Sequence, residues 1–193
     1  GTGKTSLIES AFVDPKSSKT KLGISCTTRE KRPKEEHGVS YFFISQQEFV
    51  NKINRNEFLE YAEVFGNLYG TPKDWVLSVL NEGKNVILEL DIQGALQVKE
   101  AFPEAKTIFI IPPSYEDLSN RLKKRAQDQP EEIKTRLKEA RKEVGIGKDF
   151  DQIIVNNDFD KALDDLKKFI FLNDMPSTER KEESKISLNL LLD

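Results

Sequence analysis

The chain has one cysteine, one histidine, one methionine and one tryptophan among 193 residues. Cys26 alone makes no internal disulfide and no thiolate-rich metal site, which fits a reducing compartment and points to a cytoplasmic location. His37 alone rules out a histidine metal cluster. Since the only methionine is Met175, a natural N-terminus, with any targeting peptide, is expected upstream of Gly1. Also missing is any run approaching the roughly 20 continuous apolar residues that a membrane span requires. There is little excess charge: 30 basic residues against 33 acidic ones leave a formal net charge of −3. No global field recruits nucleic acid or an anionic membrane, so any basic site must be local. Internal repeats and low-complexity tracts are absent as well. What is present, 37% hydrophobic and 33% charged residues, suits one compact domain with insertions or two small ones.

The first six residues, Gly1 Thr2 Gly3 Lys4 Thr5 Ser6, run straight into the apolar pair Leu7 Ile8. Gly3-Lys4-Thr5 reads as the second half of a phosphate-binding loop. In such a loop, backbone N–H groups and a helix N-terminus cradle an anion, a lysine reaches the outer phosphates, and a threonine hydroxyl ligates Mg²⁺. A helix follows over Thr5 to Phe12 and ends near Asp14-Pro15.

Lys21 to Thr28 alternates Leu22, Ile24 and Cys26, the pattern of a half-buried strand with Ser25 near its end. The basic turn after it holds Arg29 and Arg32, three residues apart. It reads either as a solvated loop or, with flanking hydroxyls and Tyr41, as a fork for a dianionic phosphate. Gln46 to Phe58 has helical spacing, and Phe58 to Pro72 reads as a strand, a turn at Gly66-Asn67 and a return strand. In that stretch Glu60 fits the exposed alternate of a strand. Val86 to Ile92 is nearly all apolar, as in a parallel strand covered on both faces, and carries Glu89 and Asp91 toward its carboxyl end, where open α/β sheets bind ligands. Ala105 to Ile111 is a further buried strand, followed by a helix capped by Ser114 with Asp117 three residues on. From Arg121 to Lys148 the chain turns highly charged, with Arg121, Arg125, Arg136 and Arg141. This is either a salt-bridged exposed helix pair or a lid whose arginines reach phosphates. Asp151 to Val155 is a last short strand, Phe159 to Leu172 an amphipathic helix, and 173–193 a tail expected to be disordered or loosely docked. Strands alternating with helices argue a parallel α/β sheet, interrupted by an antiparallel insertion between about Arg29 and Thr71.

Several motifs in order resemble those of the guanylate kinase family. They are Ser25-Cys26-Thr27-Thr28-Arg29 with Arg32-Pro33, Gly38 to Phe43, Phe58-Leu59-Glu60-Tyr61-Ala62, Gly66 to Thr71, Leu90-Asp91-Ile92-Gln93-Gly94, Ile110 to Ser114 and Ile154-Val155-Asn156-Asn157. The resemblance implies an α/β fold with a P-loop three-layer core around a parallel sheet, a mixed-sheet GMP-binding insertion and a helical lid. The boundaries it suggests are core 1–28, insertion 29–72, core 73–120, lid 121–149, core 150–172 and tail 173–193. It implies transfer of the γ-phosphoryl group of ATP to GMP, and to dGMP, with Mg²⁺ as cofactor, and no nucleic-acid or membrane partner. Arg29, Arg32, Tyr41 and Tyr69 are assigned to the GMP phosphate. Ser25, Glu60, Thr71 and Asp91 are assigned to the guanine edge. Glu89 stands where the family usually has an aspartate near GMP and Mg²⁺. Gly1, Thr2, Gly3, Lys4, Thr5, Ser6 and Asn156 are assigned to ATP, with Thr5 on the metal. Lys4, Arg29, Arg125 and Arg136 are the catalytic set, the last two from the lid. The alternatives are a guanylate-kinase-like module that binds phosphopeptide, disfavoured by the retained Lys4 and lid arginines, and a kinase for another nucleoside monophosphate, disfavoured by Glu60 with Asp91.

Overall fold

The computed structural model describes residues 2–124 and 130–192, apart from the side chains of Pro130 and Glu132. The chain divides into two compact units, one made of residues 1–17 with 106–193 and the other of residues 18–105.

In the first unit, helix α1 (Lys4–Phe12) starts directly after Gly3, which takes a left-handed conformation with φ 88°. That backbone position suits glycine. The unit's sheet is the parallel pair β7 (Ile108–Ile111) and β8 (Gln152–Val155). Successive side chains on these strands face opposite sides. Ile110 and Ile154 pack with Leu7 and Ala11 of α1 and with Ala162 and Leu166 of α7 (Phe159–Phe171). Ile111 and Val155 pack on the other side, with Val144 of α6 (Pro130–Gly147) and with Leu188 and Leu191 of α8 (Thr178–Leu192). Both faces of the pair are therefore covered, as the apolar sequence of the strands requires. Helix α5 (Tyr115–Lys124) packs on α6 through Leu118, Leu122 and Ile133. Its Ser114 cap forms as expected, with Asp117 N–H donating to Ser114 Oγ at 3.0 Å.

Residues 178–192 depart from the expected loose tail. They form a helix because the outward face of β7 and β8 is apolar and needs a cover, which Leu188 and Leu191 supply. The signal was hidden because Ile186, Leu190 and Leu192 remain exposed, so the apolar residues of α8 do not form one clean stripe.

In the second unit, β1 (Thr20–Leu22) pairs in parallel with β6 (Asn85–Ile87). A separate four-stranded mixed sheet has the order β3-β2-β5-β4, built from β2 (Cys26–Thr27), β3 (Phe42–Phe43), β4 (Phe58–Val64) and β5 (Asn67–Pro72). The single strand expected over Lys21 to Thr28 is thus two strands in different sheets. The break includes Gly23, where a Cβ would meet Leu88 Cδ2 at 2.5 Å and would require the Leu88 side chain to shift. Helix α2 (Gln46–Asn54) begins at the Ser45 cap and buries Phe49 against Cys26 and Phe58. Helices α3 (Lys73–Asn81) and α4 (Ile92–Ala101) complete the unit. The apolar run through Ile92 is strand only as far as Ile87, and Asp91 caps α4 by accepting from Gly94 N–H at 3.0 Å. Among the described residues no helix is long and apolar enough to cross a membrane.

Candidate active site

The side chains predicted for nucleotide recognition gather into two groups, one in each unit. In the 18–105 unit the organising element is β5. Tyr69 and Thr71 lie two residues apart on it, so their side chains share one face roughly 7 Å apart. Tyr69 stands at the arginine turn and Thr71 at the carboxylates.

At the arginine end, Thr27 and Thr28 fix where the chain leaves β2. Thr27 Oγ1 donates to the Leu68 carbonyl at 2.9 Å, Leu68 N–H donates to Thr28 Oγ1 at 2.9 Å, and Arg29 N–H donates to Thr27 Oγ1 at 3.2 Å. The Arg29 guanidinium is then held from three directions. Nε donates to the Tyr69 hydroxyl at 3.1 Å, Nη1 to the Glu30 carbonyl at 2.7 Å and Nη2 to Glu35 Oε1 at 2.8 Å. It also stands 5.6 Å from the centre of the Tyr41 ring. Arg32 joins through the same acid: its N–H donates to Glu35 Oε2 at 2.9 Å and its Nη1 lies 3.9 Å from Oε1. Burial alone would raise the Glu35 carboxyl, but the Arg29 guanidinium and the Arg32 N–H outweigh it and hold the group below its ordinary value. Burial, with the Glu89 carboxylate adding to it, pushes the Tyr41 phenol up to about 12. Tyr41 therefore stays a neutral hydrogen-bond donor, and Glu89 is close enough to act on it by charge.

At the other end, Glu60 on β4 is 3% exposed and is not the solvent-facing alternate that the strand pattern allowed. Thr71 Oγ1 donates to Glu60 Oε1 at 2.5 Å, and Ser25 Oγ lies 3.2 Å from Thr71 Oγ1. An ionised carboxylate only accepts, so the proton order runs from Ser25 to Thr71 to Glu60. Burial first, with the charge of Asp91 reinforcing it, raises the Glu60 carboxyl above its ordinary value against the lowering hydrogen bond from Thr71. Gly94 closes the group: a Cβ there would meet Glu60 Oε2 at 2.5 Å and Asp91 Oδ1 at 3.2 Å.

In the other unit, Gly3 at the N-terminus of α1 has no side chain to cap the helix. The Thr2 hydroxyl is buried with no hydrogen-bond partner among the described residues. Asn156, just past β8, donates from Nδ2 to the Thr2 carbonyl at 2.8 Å, and a Cβ on Gly3 would meet that Nδ2 at 2.5 Å. Arg121 Nη2 donates to the Asn156 carbonyl at 2.7 Å. Lys4, Thr5 and Ser6 form the first turn of α1, and Arg136 is half-buried on α6. Gly1 and Arg125 lie outside the described residues.

Sequence reasoning gave no role to Glu35 or Gly94 and placed Arg121 only among the arginines of the charged stretch. Glu35, three residues after Arg32, had the spacing of an acid partner within the turn. Gly94 belongs to the Leu90-Asp91-Ile92-Gln93-Gly94 motif, but the room it leaves for Glu60 is a property of the folded chain. Arg121 was one charge among many.

An uncapped glycine-lysine-threonine helix start, with a buried acid and a two-arginine turn in the other unit, defines the class of α/β nucleotide-phosphate-binding proteins. A family model described as guanylate kinase matches residues 1–173. The guanylate kinase of Hahella chejuensis is 50% identical over 167 residues, spanning 86% of this chain and 79% of that protein. That of Vibrio cholerae serotype O1 is 42% identical over 192 residues, spanning 100% and 93%. The crystal structure of guanylate kinase from Anaplasma phagocytophilum superposes with a TM-score of 0.72 at 30% identity, covering 94% of this chain and 87% of that one. The chain belongs to the guanylate kinase family.

Proposed function

We propose that this chain transfers the γ-phosphoryl group of ATP to GMP or dGMP, giving ADP and GDP or dGDP, in the cytoplasm. The observation that carries the reading is the shared face of Tyr69 and Thr71 on β5. It brings the Arg29 guanidinium, through the Tyr69 hydroxyl, and the buried Glu60 carboxylate, through Thr71, to one face of β5 at anchor points roughly 7 Å apart. Guanine offers an N1–H and an exocyclic amine on one edge. Glu60 and Asp91 accept this pair, which adenine lacks, while Ser25 and Thr71 orient Glu60. Arg29, Arg32, Tyr41 and Tyr69 receive the monophosphate, with Glu89 beside Tyr41.

The ATP phosphates are assigned to the loop of Gly1, Thr2 and Gly3 and to the first-turn N–H groups of α1, with Lys4 and Ser6 alongside and Asn156 next to the adenine. The unpartnered Thr2 hydroxyl suits an anionic guest, because a buried hydroxyl without a partner is costly. The described residues contain no cluster of three or more acids, histidines or cysteines fit for a metal ion. Thr5, in the first turn of α1, would be the protein ligand of Mg²⁺, an ion that keeps several waters and takes its other ligands from substrate phosphates. When bound, the ion supplies charge neutralisation on the phosphates.

Phosphoryl transfer asks the protein for position and positive charge, so no covalent intermediate is invoked. Lys4 and Arg29, with Arg125 and Arg136, offset the repulsion between donor and acceptor anions. A coupled assay of ADP production with GMP, dGMP, AMP, CMP and UMP tests the reading. Turnover confined to the two guanine substrates is the expected result, and equal turnover of AMP would overturn it.

A further inference from the structure

Helix α8 lies beyond residue 173, where the family match ends, yet it carries a buried ion pair. Arg180 is 9% exposed and Asp165 on α7 is 3% exposed. Arg180 Nε donates to Asp165 Oδ2 at 2.7 Å, and Nη1 pairs with Glu183. Such pairs seldom stabilise a fold more than well-packed apolar side chains would, so a positional role is the better account. The third nitrogen shows what is being positioned. Arg180 Nη2 donates to the Val155 carbonyl at 3.2 Å, and Val155 N–H donates to Ser184 Oγ at 3.3 Å. Asn156 N–H donates to the Ile111 carbonyl at 2.9 Å on the side of β7, so the polar groups of Val155 point to the opposite edge of β8. Left alone there, both would be buried and unpaired.

The next residue is Asn156, whose side chain holds the Thr2 carbonyl and packs on Gly3. A continuous line therefore runs from Asp165 through Arg180 and Val155 to Asn156 and the glycine loop. We propose that Arg180, aided by Ser184, is a positioning residue for the donor-nucleotide loop: it fixes the end of β8 so that Asn156 holds Thr2 and Gly3 in the shape that receives the triphosphate. The inference rests on the assignment of residues 1–6 to ATP.

The test uses the full chain with Arg180→Met, Arg180→Lys and Ser184→Ala, each also combined with Asn156→Ala. ATP and GMP dissociation constants are measured separately by calorimetry, beside both KM values and the melting temperature. The loss of one charge-assisted hydrogen bond predicts a roughly tenfold rise in the ATP Kd and KM for Arg180→Met, with the GMP Kd unchanged. Arg180→Lys, which keeps the charge but not the three-nitrogen fork, and Ser184→Ala should each raise them about threefold, so the proposal stays testable if the methionine variant does not fold. In the Asn156→Ala background the Arg180 effect on ATP should vanish, because the two residues act in series. An unchanged ATP Kd with a lowered melting temperature would overturn the proposal by leaving α8 a purely structural cover. So would an equal rise for both nucleotides, or an Arg180 effect undiminished without Asn156. Absence of GMP-dependent turnover in the parent chain would count against the proposed function instead, while the ATP Kd would still decide the role of Arg180.

Discussion

Thr71 Oγ1 donates a 2.5 Å hydrogen bond to Glu60 Oε1 across the β4 and β5 pair, with both residues buried. This contact holds a carboxylate where burial disfavours its charge. The site therefore gives up some stability to keep an ionisable acceptor in place.

Glu60→Gln should separate stability from function. Because burial raises the native Glu60 carboxyl above 4.5, the native chain binds this proton more tightly than the unfolded chain. Its contribution to stability is complete below 4.5 and is lost as pH rises through the native value. The glutamine variant never ionises and still accepts from Thr71. Its melting temperature should exceed the parent's by a margin that grows as pH rises above 4.5. The GMP KM should rise about tenfold through loss of a charge-assisted acceptor, with its pH dependence on the acid side removed. A margin that does not change with pH would show that Glu60 carries no buried charge.

Glu35→Gln addresses the arginine turn. Glu35 accepts with both oxygens, from Arg29 Nη2 and from Arg32 N–H, so an amide must turn its NH₂ toward one of those donors. The loss of about 1 kcal/mol corresponds to a roughly fivefold rise in GMP KM with little change in kcat. A fall in KM would mean that the acid competes with phosphate and does not hold the arginines for it.

Gly94→Ala places a methyl group 2.5 Å from Glu60 Oε2. Glycine to alanine within a helix ordinarily stabilises by about 0.5–1 kcal/mol. Here the flexible end of Glu60 must move, so the fold should persist while GMP affinity falls by about tenfold or more, a loss of at least about 1.4 kcal/mol. Calorimetric titration with GMP beside a thermal melt tests this, and unchanged affinity would show that Glu60 adapts freely.

Lys4→Ala should lower kcat by about 10²–10³-fold, the scale of removing one preorganised charge from a transition state. GMP binding should be unaffected, because Lys4 is assigned to the ATP phosphates and not to GMP. Unchanged turnover would remove Lys4 from the mechanism.

The candidate site could be proposed from the sequence because its residues sit in short motifs at fixed local spacings that resemble those of guanylate kinases. Gly3-Lys4-Thr5 before an apolar pair and Arg29 with Arg32 are relations within a few residues, where backbone geometry leaves little choice. Glu60 was ambiguous for the opposite reason: strand alternation gives it a face but not what lies against that face. The partner of Arg121 could not be read because it is a backbone carbonyl 35 residues away, and a carbonyl has no sequence signature.

The sequence by itself determined the α/β class and the helix start at the glycine loop, because each follows from periodicity, turn chemistry or a local motif; the mixed inserted sheet and most candidate ligands came from the resemblance to guanylate kinases. The tertiary structure decided that Glu60 is buried and tied to Thr71, that Glu35 holds both arginines, that Lys21 to Thr28 splits between two sheets, and that 178–192 is a docked helix. These outcomes depend on which surfaces meet after the chain has folded, and the need to cover an apolar strand face or to pair a buried peptide group arises only there.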